Sequence, residues 1–455
     1  MSRRYLENGE YRTASQLNMI TKEFSEPNRS YAFAYKEYLE LNNRKARTIA
    51  RRLGDLRFIL RVLPKDAKLA TRKDIENVVM AINKGKSTIM YQLISDLLDG
   101  GVDATNILFF SFDETQTKVD DVLDTYREFQ KKDFREKRTY IFLDEVQKYS
   151  NWENEVKKYY DLYPKLKFVI SGSESLFIKK RSKETLAGRI FEFTLNAFTF
   201  KEYLRFNRIS KNEVKYETKI MPLFNRFIEY GGFPETFSFK SDKEFVEYIR
   251  ALVVDKIVYK DIPKLFNIGD PDFLRTILEL VSTNPGMYVD YQSLSKQFGK
   301  DRRVIKDYFG YLKESFLIRL LGNYRKGSIT RLRKRKRAYP TDNALIRLYK
   351  PNIDADFFGR LVETAVINKT RAETFWKNSG EIDVVYKDKP IEAKYQETIN
   401  QEDFKVLMEF IGKFKINEAI MVTKRDEREV KLDAGSIRLI PAYKFMLSDI
   451  GEENG

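Results

Sequence analysis

The chain has 455 residues, 42% apolar and 33% charged, enough for several domains that each bury a core. It contains no cysteine and no histidine, which excludes disulfides, thiolate nucleophiles, Cys/His zinc sites and every histidine-based triad, leaving carboxylates, lysine, hydroxyls and oxygen-ligated ions such as Mg²⁺. Lys and Arg outnumber Asp and Glu by 83 to 67, a formal charge of +16, which points to a polyanionic partner such as DNA or else to a merely lysine-rich composition.

Residues 1–29 read as a polar arm without the apolar stretch of a signal peptide, and no run of 18 uncharged apolar residues follows. A cytoplasmic protein is the expectation. From 30 to 83 apolar residues recur at helical spacing through YKEYLELNN, RKARTIARRLGDLRFIL and LATRKDIENVV. Then GKSTIMYQLISDLLDGG predicts a helix stopped by Gly100-Gly101. Short strands follow in NILFFSFDE, TYIFLDEVQ and KFVISGSES, with helices between them, the pattern of a parallel sheet covered on both faces.

Beyond Arg189 the text turns helical, and 272–320 reads as three helices with a turn at Gly299-Lys300-Asp301. A winged helix has this pattern. Its wing would carry the basic stretch Arg325 to Arg337, with eight Lys/Arg in thirteen residues. Arg331, Arg333, Lys334, Arg335, Lys336 and Arg337, with Arg302, Arg303 and Lys306 at the start of the recognition helix, are the candidate DNA contacts; a solvated charged face is the plainer alternative. The remainder alternates helix and strand: FGRLVETAVINKTRA, EIDVVYK, KPIEAKY, QEDFKVLMEFIGKF, EAIMVTK.

Two constellations carry chemistry. Gly85-Lys86-Ser87-Thr88 is the end of a phosphate-binding loop, but Met80 stands where its first glycine belongs. Residues 78–82, VVMAI, could supply a strand into a shortened loop, or could stay in the preceding helix and leave the phosphate cradle half built. Asp144-Glu145 ends an apolar strand as the acids of a Walker B element do, with Asp144 toward Mg²⁺ and Glu145 toward water. Ser173 and Arg189 are candidates for contact with a γ-phosphate. In the second constellation, Asp383 lies on one strand and Glu392 and Lys394 share a face of the next. Two carboxylates there could hold Mg²⁺ while the lysine steadies phosphate, with Glu363 as an additional acid; a surface hairpin would read similarly.

Residues 30–83 resemble the N-terminal DNA-gripping helical domain of tyrosine recombinases. From Gly85 onward, GKSTIMYQLISDLL, NILFFSFDE, YIFLDEVQKYSNWENEVKKYYD, FVISGSES, LAGRIFEFTLNAFTFKEYL, YGGFPE and KDIP resemble an archaeal and bacterial AAA+-type ATPase family that also carries a winged helix and a restriction-endonuclease-like domain. The resemblance implies a multidomain α/β chain: N-terminal helical bundle (30–83), AAA+ P-loop parallel sheet (84–200), lid-like helices (201–270), winged helix (271–345) and restriction-endonuclease-like α/β domain (346–455). It implies ATP and Mg²⁺ as cofactors, with Lys86 on the β/γ-phosphates, Ser87 and Asp144 on the metal and Glu145 polarising water. The expected function is nucleotide-modulated DNA binding with Mg²⁺-dependent cleavage at Asp383, Glu392 and Lys394, and with self-association open. A non-enzymatic DNA-binding or signalling scaffold with both sites degenerate is the alternative.

Overall fold

The alternation of helix and strand expected from residue 86 onward is present in the computed structural model, which describes residues 86–112, 117–131, 133–146, 149, 151–172, 186, 188–191, 193, 195–209, 216–239, 241–325 and 336–451. The chain divides into units 1–88 and 89–455, and nearly all described residues belong to the second. The recombinase-like segment and the 78–82 stretch lie outside the described residues.

Helix α1 (Lys86–Asp99) stops as its glycines require: Gly101 has φ 83°, and Val102 N–H bonds back to Leu97 O at 3.0 Å. Strand β1 (Ile107–Ser111), α2 (Val119–Gln130), β2 (Thr139–Asp144), α3 (Trp152–Leu162) and β3 (Leu166–Ile170) follow. The three strands are parallel in the order β1-β2-β3, and register sets Ser111 opposite Asp144. Central β2 buries Ile141, Phe142 and Leu143, and Trp152 of α3 packs with Phe112 and Phe134 into the core that holds Ile141 and Leu143. Each such side chain removed from water contributes roughly 2–3 kcal/mol. Asp120 and Asp121 favour the start of α2, where Glu155 of α3 accepts the Asp120 N–H at 2.9 Å and ties the two helices together.

Helices α4 (Phe200–Phe206) and α5 (Glu217–Tyr230) come next; Thr199 and Glu202 form a capping box at α4. Helix α6 (Asp242–Tyr248) runs into two π-helical segments, Ile249–Val254 and Ile257–Asp261, and then α7 (Ile262–Phe266). After α8 (Pro271–Thr283) come β4 (Met287–Val289), α9 (Tyr291–Phe298), α10 (Arg302–Glu314), β5 (Ile318–Asn323) and β6 (Lys336–Pro340). Aspartates 270, 290 and 301 cap α8, α9 and α10 by accepting main-chain N–H groups, and Gly299 ends α9 with φ 62°. Strand β6 pairs antiparallel with both β4 and β5.

Helix α11 (Asn343–Tyr349) starts at Asp342, which accepts N–H bonds from Ala344 at 2.8 Å and from Gly232 at 3.0 Å. Burial pushes the Asp342 carboxyl up to about 6, against the pull of those two bonds. Gly231 makes this junction possible. Its φ is 78°, and a Cβ there would stand 1.8 Å from Asp342 Oδ1.

Helix α12 (Ala355–Thr370), β7 (Thr374–Lys377), β8 (Glu381–Tyr386), β9 (Lys389–Lys394), α13 (Lys405–Phe414), β10 (Glu418–Thr423), β11 (Arg428–Leu432), β12 (Gly435–Pro441) and α14 (Ala442–Leu447) complete the chain. Among the described residues, nine strands form one mixed sheet in the order β11-β12-β10-β9-β8-β7-β5-β6-β4. The antiparallel strands β4–β6 join the rest through the parallel β5–β7 pair at Gly322–Thr374 and Asn323–Phe375. Cores cross the boundaries drawn at 270 and 345. Phe200 and Phe224 share a core with Val366, Ile391 and Phe445, and Phe245 and Val258 share another with Phe309 and Leu348. No described helix is long and apolar enough to cross a membrane.

Candidate functional site

At the carboxyl edge of the three-stranded sheet, β2 delivers Asp144, 4% exposed. Its Oδ1 accepts a bond from the Ser171 hydroxyl and another from the Glu145 N–H at 3.1 Å. Glu145 has φ 53°, left-handed for a residue with a Cβ, the kind of strain that collects at working sites. The turn is stitched to the end of β3: Ser171 N–H bonds Leu143 O at 2.9 Å, and Val146 N–H bonds Ser171 O at 3.1 Å. A buried carboxylate positioned by a hydroxyl and a main-chain N–H suits the oxygen chemistry of a hydrated Mg²⁺.

Of the predicted nucleotide contacts, Asp144 and Glu145 are therefore brought together. Ser171, which the sequence reading passed over for Ser173, is the serine in contact with Asp144. Ser173 and Gly85 lie outside the described residues. Lys86, Ser87 and Thr88 form the first turn of α1, and their side chains lie outside the description. Arg189 has an acidic partner on α3. Its Nε bonds Asp161 Oδ1 at 2.9 Å in the last turn of α3, which returns to the amino edge of the sheet.

The second site lies between β6, β8, β9 and α12. The β8–β9 pairing sets Asp383 beside Glu392, as the sequence spacing predicted. Asp383 N–H donates to Glu392 Oε2 at 3.2 Å, and Asp383 Oδ2 accepts the Ala393 N–H at 3.0 Å. Lys394 Nζ stands 3.9 Å from Glu392 Oε1 and 3.9 Å from Asp403 Oδ1. Glu363 of α12 arrives within the same cluster, and Glu381, at the start of β8, adds an acid the sequence reading did not single out.

At the centre is Arg337. Grouped in sequence with the basic wing as a DNA contact, it is turned inward and 8% exposed. Its Nη1 lies 2.8 Å from Glu381 Oε1 and donates to Asp383 Oδ1 at 3.2 Å. Its Nη2 donates to Glu363 Oε1 at 2.9 Å, and its Nε to Gly286 O at 2.9 Å. Tyr339, two residues along the same face of β6, donates to Glu363 at 2.6 Å, and Tyr288 donates to Glu381. Burial alone would pull the guanidinium down, but Tyr339 and the three carboxylates outweigh it and keep the group charged. Burial and then Asp383 push Glu363 up to about 8, against Arg337, and burial raises Glu392 as well.

These donors do not fit the Mg²⁺ expected at Asp383 and Glu392. Both Asp383 oxygens and one Glu392 oxygen already accept hydrogen bonds, and the cation among the acids is a guanidinium. The alternation of side chains along a strand could have revealed Arg337, because Lys336 and Arg337 must face opposite ways.

The DNA candidates divide. Arg302, Arg303 and Lys306 are exposed at the start of α10, and Arg331, Arg333, Lys334 and Arg335 lie outside the described residues. Lys336 is half-buried, and its ammonium is pulled down by burial and then by Lys313 and Lys306. Like charges are thus gathered on the α10 side of β6.

Comparison with known proteins places residues 83–204 on a family described as AAA domain, and 221–353 on a domain of unknown function. An uncharacterized protein of Methanocaldococcus jannaschii is 26% identical over 275 residues, covering 58% of this chain and 60% of that one. An uncharacterized protein of Haemophilus influenzae is 24% identical over 306 residues, 66% of this chain and 75% of its own. A second from M. jannaschii is 25% identical over 236 residues, 46% and 49% respectively. The chain thus spans about three fifths of the first relative and half of the last. No solved structure matches. The AAA match and the parallel sheet ending in Asp144 support an AAA-type, nucleotide-binding segment.

Proposed function

We propose that the protein is a AAA+-type ATPase that binds DNA, carrying a nuclease-like domain whose carboxylate centre is closed in this state. The buried Asp144, held by Ser171 at the edge of β2 inside the AAA-matching segment, carries the reading. A bound Mg²⁺–ATP supplies the scissile phosphoanhydride and the charge that offsets its oxygens. Asp144, held by Ser171, would orient the metal's shell, and Glu145 would accept a proton from water. Lys86 and Ser87 are the phosphate and metal contacts that the motif assigns to the start of α1.

The order α8-β4-α9-α10-β5-β6 supports a winged-helix reading, in which α10 would be the helix presented to DNA. Arg302, Arg303, Lys306, Lys313 and Lys336 supply a phosphate-facing surface. The hairpin β8–β9 with α12 supports a restriction-endonuclease-like fold. A scaffold reading of this domain is favoured by one observation: the Arg337 guanidinium is bonded to Glu363, Glu381 and Asp383.

The test is equilibrium binding of fluorescent ATP with Mg²⁺ to the full chain. Lys86→Ala and Asp144→Ala should each weaken binding at least tenfold. Equal affinity in all three proteins would end the ATPase reading.

A further inference from the structure

Three acidic side chains crowded together repel one another as they ionise unless a cation stands among them. Here Glu363, Glu381 and Asp383 each send an oxygen to one guanidinium, at distances from 2.8 to 3.2 Å. The arrangement is built in detail. The Gly286 carbonyl takes the remaining Nε, and a Cβ on Gly286 would stand 2.5 Å from Arg337 Nη2, so a residue without one leaves the space. Tyr339 and Tyr288 hold the carboxyls of Glu363 and Glu381 in place. A planar fork of donors satisfies such a set, whereas a divalent ion demands oxygens at closer range from all sides.

We propose that Arg337 is a built-in counter-cation that fills the pocket of Glu363, Glu381 and Asp383 and thereby excludes a divalent metal from it. This rests on the nuclease-like reading of the domain but concerns what occupies the pocket, not whether DNA is cut. Because β6 also carries Lys336 on its opposite face, the plug is attached to the strand that borders the basic surface of α10.

The experiment is a Mn²⁺ titration of the full chain without nucleotide, read by the electron paramagnetic resonance signal of free Mn²⁺. Arg337→Met should acquire one extra Mn²⁺ per chain, at least tenfold tighter than any site of the unaltered protein, and adding Asp383→Asn should abolish it. Failure of Arg337→Met to gain a site would overturn the proposal. So would a site already present in the unaltered protein and lost on Asp383→Asn. Should Arg337→Met not fold, Arg337→Lys keeps a charge but reaches fewer of the acids. It should gain a weaker Mn²⁺ site with the same dependence on Asp383, and no gain there also overturns the idea. A variant that binds Mn²⁺ yet cuts no DNA leaves the plug standing and removes the nuclease reading alone.

Discussion

Lys336 and Arg337 are neighbours on β6 with opposite fates: one faces the lysines of α10, the other is enclosed by three carboxylates. A run of cations that looks uniform in sequence is therefore two surfaces, and each makes its own demands.

For the outer surface, Lys306→Ala and Lys313→Ala should weaken duplex DNA binding to a similar degree whatever the sequence, since phosphate contacts carry no base information. Each should reduce the slope of log affinity against log salt by about one. Fluorescence anisotropy at several salt concentrations measures both. Unchanged slopes would remove α10 as the DNA-facing helix.

For the inner surface, the raised Glu363 carboxyl has a pH signature. Its ordinary value is 4.5 and its folded value about 8, so between them the folded chain keeps a proton that the unfolded chain has lost. Stability from this group therefore falls as pH rises through that window. Glu363→Gln, which mimics the protonated form and can still accept from Arg337 and Tyr339, should flatten the dependence of melting temperature on pH. A steeper dependence in the variant would show that Glu363 is charged in the folded protein.

Gly231→Ala should destabilise the fold by about 3 kcal/mol or more, because it combines a left-handed φ with a collision at Asp342. Thermal unfolding should show a clear drop, with Gly269→Ala, which meets nothing within 4 Å, as the comparison.

Ser171→Ala should retain ATP binding within about threefold while lowering hydrolysis tenfold or more, the loss expected when a carboxylate gives up one positioning hydrogen bond. Steady-state hydrolysis beside equilibrium binding separates the two effects. Full hydrolysis in the variant would reduce Ser171 to a strand-end contact.

Much of the architecture could be read from the chain because local chemistry agreed with the final fold. The apolar runs of β1 to β3, the glycine stop after α1 and the aspartate caps at 270 and 301 each state their element within a few residues. The Asp383–Glu392 pairing was legible for the same reason: a short hairpin leaves little choice of register. The four-residue β7 and the largely exposed β11 lack a strong period, and the π-helical turns around Asp255 have the same apolar spacing as an ordinary helix. Arg337 was hidden differently. Its partners lie 26, 44 and 46 residues away, and only a fixed strand register says which cation of the run turns inward.

The join between β5 and β7 spans two register pairs, flanked by main-chain bonds from Gly322 to Glu373 and from Tyr324 to Phe375. This is a narrow waist in a broad plate, and the Arg337 bonds to Glu381 and Asp383 cross it close by. The guanidinium is thus a tie as well as a charge: it joins β6 to β8 where β5 and β7 pair over only two positions.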